Sequence, residues 1–278
     1  MTISTADQLV NALANNSSRI VLDKASIANQ TAGRQCAMWR ATGQPAQGAI
    51  PTASALCTNA TLGAVNFTQQ TEPATSYLAQ FAVMGSNNAF SLEVHDRIAH
   101  MGGLVLNVTT SQTANLPMDL VTLAPSAARV GDANYSDLQW WLEVYADGGA
   151  TASNATINVT FDDNTSGNLN TLAVGGTIRA SNRFPLGALR TTGQQGKNIR
   201  AVNSVILSAS TTVAGNFGFT VTRPRAYIDV ALANLISKAD WADLGLPEIP
   251  NGSCLEFMMT PSATSSGTLR GGGKITHG

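Results

Sequence analysis

Charge is what this chain has least of. Asp, Glu, Lys and Arg make up 12% of it, about half the usual share, and they cancel to a net charge of −1. A near-neutral chain has no long-range pull on a polyanion, so no nucleic-acid partner is expected. Cysteine is scarce too: Cys36, Cys57 and Cys254 are odd in number and form no CxxC, which argues against a disulfide framework or a thiolate metal site and for synthesis in a reducing compartment. No run of 18 apolar residues occurs, so no membrane association is expected, and residues 1–20 lack the basic and apolar regions of a signal peptide. No G-x-S-x-G nucleophile elbow is present.

Small neutral residues take the place of charge. With 44% hydrophobic residues the chain is too apolar for disorder, and its solubility must rest on Ser, Thr and Asn. Such a surface suits a protein held against other chains; the alternative is a neutral secreted binding module. Asn-x-Ser/Thr triplets at Asn59, Asn107, Asn154 and Asn158 follow from this composition.

The pattern is organised around Ala201–Arg223. Phe217, Phe219 and Val221 alternate with Gly218, Thr220 and Thr222, and Val205, Leu207 and Ala209 alternate with Ser204, Ser208 and Ser210, interrupted by Ile206. Period two places the large groups of each run on one face. Gly215 and Asn216 sit where the chain can reverse, which predicts a hairpin. Further strands are predicted over Phe90–His95, Leu104–Thr109, Leu138–Ala146, Ala155–Phe161, Leu169–Val174 and Cys254–Met259, with only a weak edge strand at the glycine-rich Leu269–Ile275. In Leu138–Ala146, Trp140, Leu142 and Val144 share one face, and Trp141, Glu143 and Tyr145 the other. Tyr77–Gly85 reads as strand or short helix, and a short helix or loop is placed around Trp241.

Thr5–Asn15 is a helix candidate, with Thr5 and Gln8 as a capping box and Leu9, Val10 and Leu13 as an apolar stripe; a second helix is placed near Leu22. From Arg40 to Thr75 regular periodicity dissolves among Gly and Pro. The expected fold is therefore mainly β: an antiparallel β-sandwich, with a jelly roll as one form of it, carrying an N-terminal helix and extended arm. The division is 1–88 for helix and arm and 89–278 for the sandwich. Ordering an irregular arm costs backbone entropy that burial must offset, so residues 1 to about 88 are expected to contact other chains. Leu9, Leu13, Trp39, Ile50, Leu56 and Phe67 are its candidate interface residues. The competing arrangement is an arm folded back on its own sandwich.

Motifs that carry chemistry are weak. His95 and His100 in VHDRIAH are five apart, where a helical metal pair wants four; with Asp96 and Glu93 close by a metal is conceivable, but a satisfied structural His–Asp cluster is the simpler reading. His277 has no recognisable partner. Asp162–Gly167 resembles the start of a calcium loop, but Ala173 stands where the bidentate Glu belongs, so a turn explains it. Arg183, Arg190, Lys197 and Arg200 cluster in sequence as a weak basic patch or as solvated loop charges, and Gly193–Lys197 lacks the spacing of a phosphate loop. No catalytic residue, cofactor or metal is expected, and the chain is expected not to be an enzyme.

Four segments together resemble a family of virion structural proteins of tailed bacteriophages: Trp141–Thr151, Ala155–Gly167, Asn198–Pro224 and Ala239–Leu255, with a weaker match at Glu93–Leu104. The resemblance implies a decoration or minor capsid protein that binds the major capsid protein, assembles as a homo-oligomer, a trimer by analogy, and resides in the virion after assembly in the host cytoplasm. A tail or neck component is the second reading. A receptor- or glycan-binding sandwich is the third, and it would be favoured by Trp140, Trp141 and Tyr145 lining an open groove.

Overall fold

Strand β1 (Ser17–Lys24) shows how this fold uses its sequence. Ile20, Leu22 and Lys24 are buried while Arg19, Val21 and Asp23 face outward, an alternation that fits a strand and corrects the expected helix near Leu22. The structure, a computed structural model, describes residues 3–27, 30–176, 178–265 and 267–278. After helix α1 (Ala6–Asn15) and β1, the long strands are β2 (Ser76–Gly85), β3 (Phe90–Leu104), β4 (Gln139–Ala146), β5 (Asn154–Phe161), β6 (Ile199–Leu207), β7 (Asn216–Val230), β8 (Leu255–Pro261) and β9 (Leu269–His277). All their recorded pairings are antiparallel. The protein is thus mainly β with sandwich-like sheets and a short N-terminal helix. No helix among the described residues is long and apolar enough to cross a membrane.

The chain forms two compact units, one of Met1–Ala49, Thr58–Asp96 and Pro224–Gly278, the other of Ile50–Cys57 and Arg97–Arg223. This differs from the expected division at 88/89. Residues 1–88 have no body of their own because β1 and β2 both pair with the C-terminal β9. Strands β3 and β7 each have residues in both units.

In the first unit one sheet runs Ser237–Asp240, β2, β9, β1, Gly43–Gln44. Strand β9 is central, a correction to the weak edge strand. Its glycines are there because neighbouring backbone crowds both sides: a Cβ on Gly271 would lie 2.0 Å from Ala82 O, and one on Gly272 2.5 Å from Ile20 O. The core gathers Ile20, Leu22, Met38, Val65, Phe67, Leu78, Phe81, Leu92, Phe257 and Ile275, with Phe81 and Phe257 stacked at 5.7 Å. The irregular Arg40–Thr75 stretch is therefore interior in part. The Trp39 indole N–H donates to Ala49 O at 3.1 Å, and Val65 N donates to Leu255 O at 2.9 Å.

In the second unit β5 and β6 pair with each other, and β4 pairs with β7. Val205, Leu207, Phe217, Phe219 and Val221 are all in its core, as their period requires. The expected hairpin is corrected: β6 and β7 belong to different sheets. Periodicity fixes which face of a strand is buried but not which strand it pairs with, and residues 208–215 are long enough to span the roughly 10 Å between packed sheets. The expected break within Phe90–Thr109 is also absent: β3 is continuous to Leu104 and ends there. Gly218 permits close approach of β3, since a Cβ there would sit 1.9 Å from Met101 O.

Candidate functional site

The densest cluster of ionisable side chains is in the second unit. Along β4, Trp141, Glu143 and Tyr145 leave the apolar core to Trp140, Leu142 and Val144, and β7 turns the small side chains of Gly218, Thr220 and Thr222 to the same face. The space left is filled by Arg97 and Arg183, both fully buried, as is Glu143. Arg97 Nη2 and Arg183 Nη2 each lie 3.0 Å from Glu143 Oε2. Thr220 Oγ1 donates to the same carboxylate oxygen at 2.5 Å. Arg97 also donates to Tyr145 Oη at 2.9 Å and, through Nε, to His100 Nδ1 at 3.0 Å, which puts the His100 ring proton on Nε2. Burial alone would raise the Glu143 pKa, but Arg183, Arg97 and the Thr220 hydroxyl overcome it and hold the carboxyl at about 2. Burial and the Glu143 charge push the Tyr145 phenol well above its ordinary value. This carboxylate has its lone pairs committed to the protein and is sealed from solvent, so its removal would leave two buried cations without their shared partner.

Other motifs are spent in the same way. His95 bonds Glu93, with 2.9 Å between Nε2 and Oε2, while Asp96 accepts from Ser253 Oγ at 3.0 Å and Cys254 N at 2.9 Å. His95 and Asp96 are thus each held by structural partners, as the simpler reading of VHDRIAH expects. His277 does have partners: Ser18 Oγ at 2.8 Å and Ser76 Oγ at 2.9 Å from its two ring nitrogens. The Asp162–Gly167 turn joins β5 to the short strand Ser166–Asn168. Its oxygens accept from protein: Asp162 Oδ1 from Asn198 N at 2.9 Å, and Asp163 Oδ1 from Thr165 N at 2.9 Å. Lys197 Nζ sits 2.8 Å from Asp163 Oδ2, and these bonds lower the Asp163 pKa to about 2. The four cations of the sequence cluster do not form a patch. Arg183 is buried on Glu143, Lys197 pairs with Asp163, Arg200 pairs with Asp119 at 3.3 Å, and Arg190 Nε donates to Gly187 O at 2.9 Å. Among the described residues no group of three or more His, Cys, Asp or Glu is placed to hold a metal.

Lys24 is a buried cation in the first unit, donating to Ala41 O at 3.0 Å and Ala46 O at 3.3 Å. Burial lowers its pKa from 10.5 to about 8, and Glu256 only partly restores it. Between those values the unfolded chain binds more protons than the folded one, so this group makes stability rise with pH from about 8 towards 10.5. From pH 7.5 to 9.5 the wild-type protein should gain on the order of 2 kcal/mol relative to its Lys24→Met variant in urea unfolding. Parallel pH profiles for the two proteins would refute this.

The candidate interface residues are not gathered on one exposed face. Trp39, Phe67 and Leu9 are buried within the chain's own fold, at 1%, 5% and 5% exposure. Leu13, Ile50 and Leu56 are half-buried, and Leu56 pairs with Ala99 of β3. Trp39, Phe67 and Leu9 are thus enclosed by the chain's own fold, a correction to the expectation that these three side chains face a neighbour. Trp140, Trp141 and Tyr145 are buried as well, with the Trp141 indole donating to Thr222 Oγ1 at 2.8 Å, so they line no open groove.

What is exposed lies elsewhere. Leu232, Leu235, Ile236 and Trp241 present large apolar side chains to solvent within ten residues. Trp241 also borders a cleft of about 560 Å³ formed with Ile3, Thr5, Ala6, Leu9 and Leu246. The sequence signal for this surface was the spacing of Leu232, Leu235, Ile236 and Trp241, which follows no strand alternation. On α1, Val10 of the expected stripe is exposed, so that stripe is only partly covered.

No protein-family model matches the chain, and no curated protein matches it. Among solved structures it is similar to the VP2 subviral particle of infectious bursal disease virus, 11% identical, with 94% of this chain and 79% of that chain covered and a TM-score of 0.17. The Gt strain structure of the same virus is 9% identical over 95% of this chain and 81% of that one, with a TM-score of 0.16. At such TM-scores the likeness carries no argument.

Proposed function

We propose that this chain is a non-enzymatic structural protein of a tailed-phage virion, a decoration or minor capsid protein that binds the major capsid protein and stabilises the shell. One observation carries the reading. Glu143, Tyr145, His100, Trp140 and Trp141, side chains of types that catalysis or sugar stacking uses, are buried within the fold, while aliphatic side chains at Leu232, Leu235 and Ile236 are left outside. Exposed apolar groups on a nearly uncharged surface favour lasting contact with another protein. The resemblance of Trp141–Thr151, Ala155–Gly167, Asn198–Pro224 and Ala239–Leu255 to virion proteins supports the same reading, and a homotrimer is the assembly it suggests. In this proposal the protein sits in the virion without nucleic acid or membrane as partner.

The test is to add purified protein to particles that lack it. Saturable binding and a higher temperature of shell disruption are the expected results; Leu235→Asp with Ile236→Asp should weaken binding at least tenfold. Absence of binding to any particle, or equal binding by the double variant, would count against the proposal. A second reading rests on Trp241, half exposed beside its cleft: an aromatic platform of that kind suits a sugar ring. Loss of glycan binding in Trp241→Ala, with particle binding intact, would favour it.

A further inference from the structure

Among the described residues, strand β1 has one side unpaired over part of its length. Asn16 O accepts from His277 N at 2.9 Å on the β9 side, whereas Ala25 N donates to Thr42 O at 2.9 Å on the other. Alternation along the strand therefore directs the N–H and C=O groups of Asp23, Val21 and Arg19 away from β9. The pairing there with Gly43–Gln44 covers only Asp23 and Lys24. Beyond it the edge at Val21 and Arg19 opens into a groove of about 460 Å³, walled by Gln44, Pro45 and Ala46 at one end and residues 60–66 opposite. Val21 and Leu62 expose 47% and 59% of their surface in it. Among the described residues that line the groove, Arg19 is the sole charged one, with no carboxylate to balance it.

We infer that this open edge takes up an extended, acidic segment of another protein chain by strand addition. The incoming backbone supplies the hydrogen bonds that Arg19 and Val21 lack on this side. Arg19 and Val21 are two apart and share a face, so the segment carries a carboxylate and an aliphatic side chain at the same spacing, the first opposite Arg19 and the second opposite Val21 and Leu62. The inference stands independently of the function proposed above, since it rests on the edge and the groove alone.

The test uses the full chain and a blocked, fluorescent peptide, acetyl-Thr-Ile-Thr-Glu-Thr-amide. One control peptide is N-methylated at alternate backbone amides, and another carries Lys in place of Glu. Fluorescence anisotropy should show saturable binding, at least tenfold weaker for both controls, and Arg19→Glu should reverse the preference between the Glu and Lys peptides. Amide exchange at Arg19 and Val21 should slow when the peptide is bound. Equal binding of the N-methylated peptide, no binding at millimolar concentration, or unchanged exchange at these two amides would overturn the inference. If both amides gain protection with protein concentration alone, the occupant is a second copy of this chain and the inference is likewise overturned.

Discussion

Replacing Glu143 by Ala should destabilise the second unit by about 3–5 kcal/mol, the range for removing one partner of a buried ion pair. The cost comes from what is left behind. Arg97 and Arg183, both fully buried, would retain their charges without the carboxylate they share. The exposed pair of Arg270 and Asp23, at 3.6 Å, is the internal control, and Asp23→Ala should cost about 0–1 kcal/mol. The same carboxylate makes an acid limb. Its folded pKa of about 2 lies below the ordinary 4.5, so its contribution is fully present above pH 4.5 and is lost as pH falls from 4.5 towards 2. Urea unfolding of wild type and Glu143→Ala at pH 7 and pH 3 measures both effects, and the difference between the two proteins should shrink at the lower pH. A Glu143→Ala protein as stable as wild type at pH 7 would mean that the charges are hydrated.

Deleting residues 1–75 should have a larger effect still, abolishing cooperative folding of the first unit. The deletion removes β1 from beside β9, along eight paired positions from Ser17 to Lys24. It also removes Ile20, Leu22, Met38, Trp39, Val65 and Phe67, all buried. At about 1.5–3 kcal/mol for each side chain the loss is roughly 9–18 kcal/mol, comparable with the whole stability of a typical domain, about 5–15 kcal/mol. Hydrogen exchange should show β2 and β9 unprotected in the truncated chain. A folded, soluble truncation that has lost only particle binding would instead establish the segment as a detachable clamp.

Local alternation was legible in the sequence and long-range pairing was not. The faces of Gln139–Ala146 follow from period two, with Trp140, Leu142 and Val144 in the core. The Thr5–Gln8 capping box forms as its residues suggest, with Gln8 N donating to Thr5 Oγ1 at 3.3 Å. The centre of the buried network was not legible, because Arg97 and Arg183 reach Glu143 across 46 and 40 residues of chain. In sequence Arg183 looks like one more loop cation. Three consecutive glycines in β9 read as weakness when taken alone; only the backbone on both sides reveals them as the residues that fit. Residues 40–75 carry no period, and an aperiodic segment can bury Trp39's neighbours and Phe67 through turns and isolated bonds that no pattern announces. The candidate interaction surface was hidden for a similar reason: exposure of Leu235 and Ile236 is a property of the tertiary fold.

Electron microscopy of intact particles, with the copy number of this protein determined from the same particles, tests the proposed structural role most directly. The account predicts density matching its sandwiches at regular positions on the capsid shell, in contact with the major capsid protein and in many copies, with residues 232–241 at the contact. A particle without this protein, or a few copies confined to a fibre with Leu235 and Ile236 facing solvent, would contradict it.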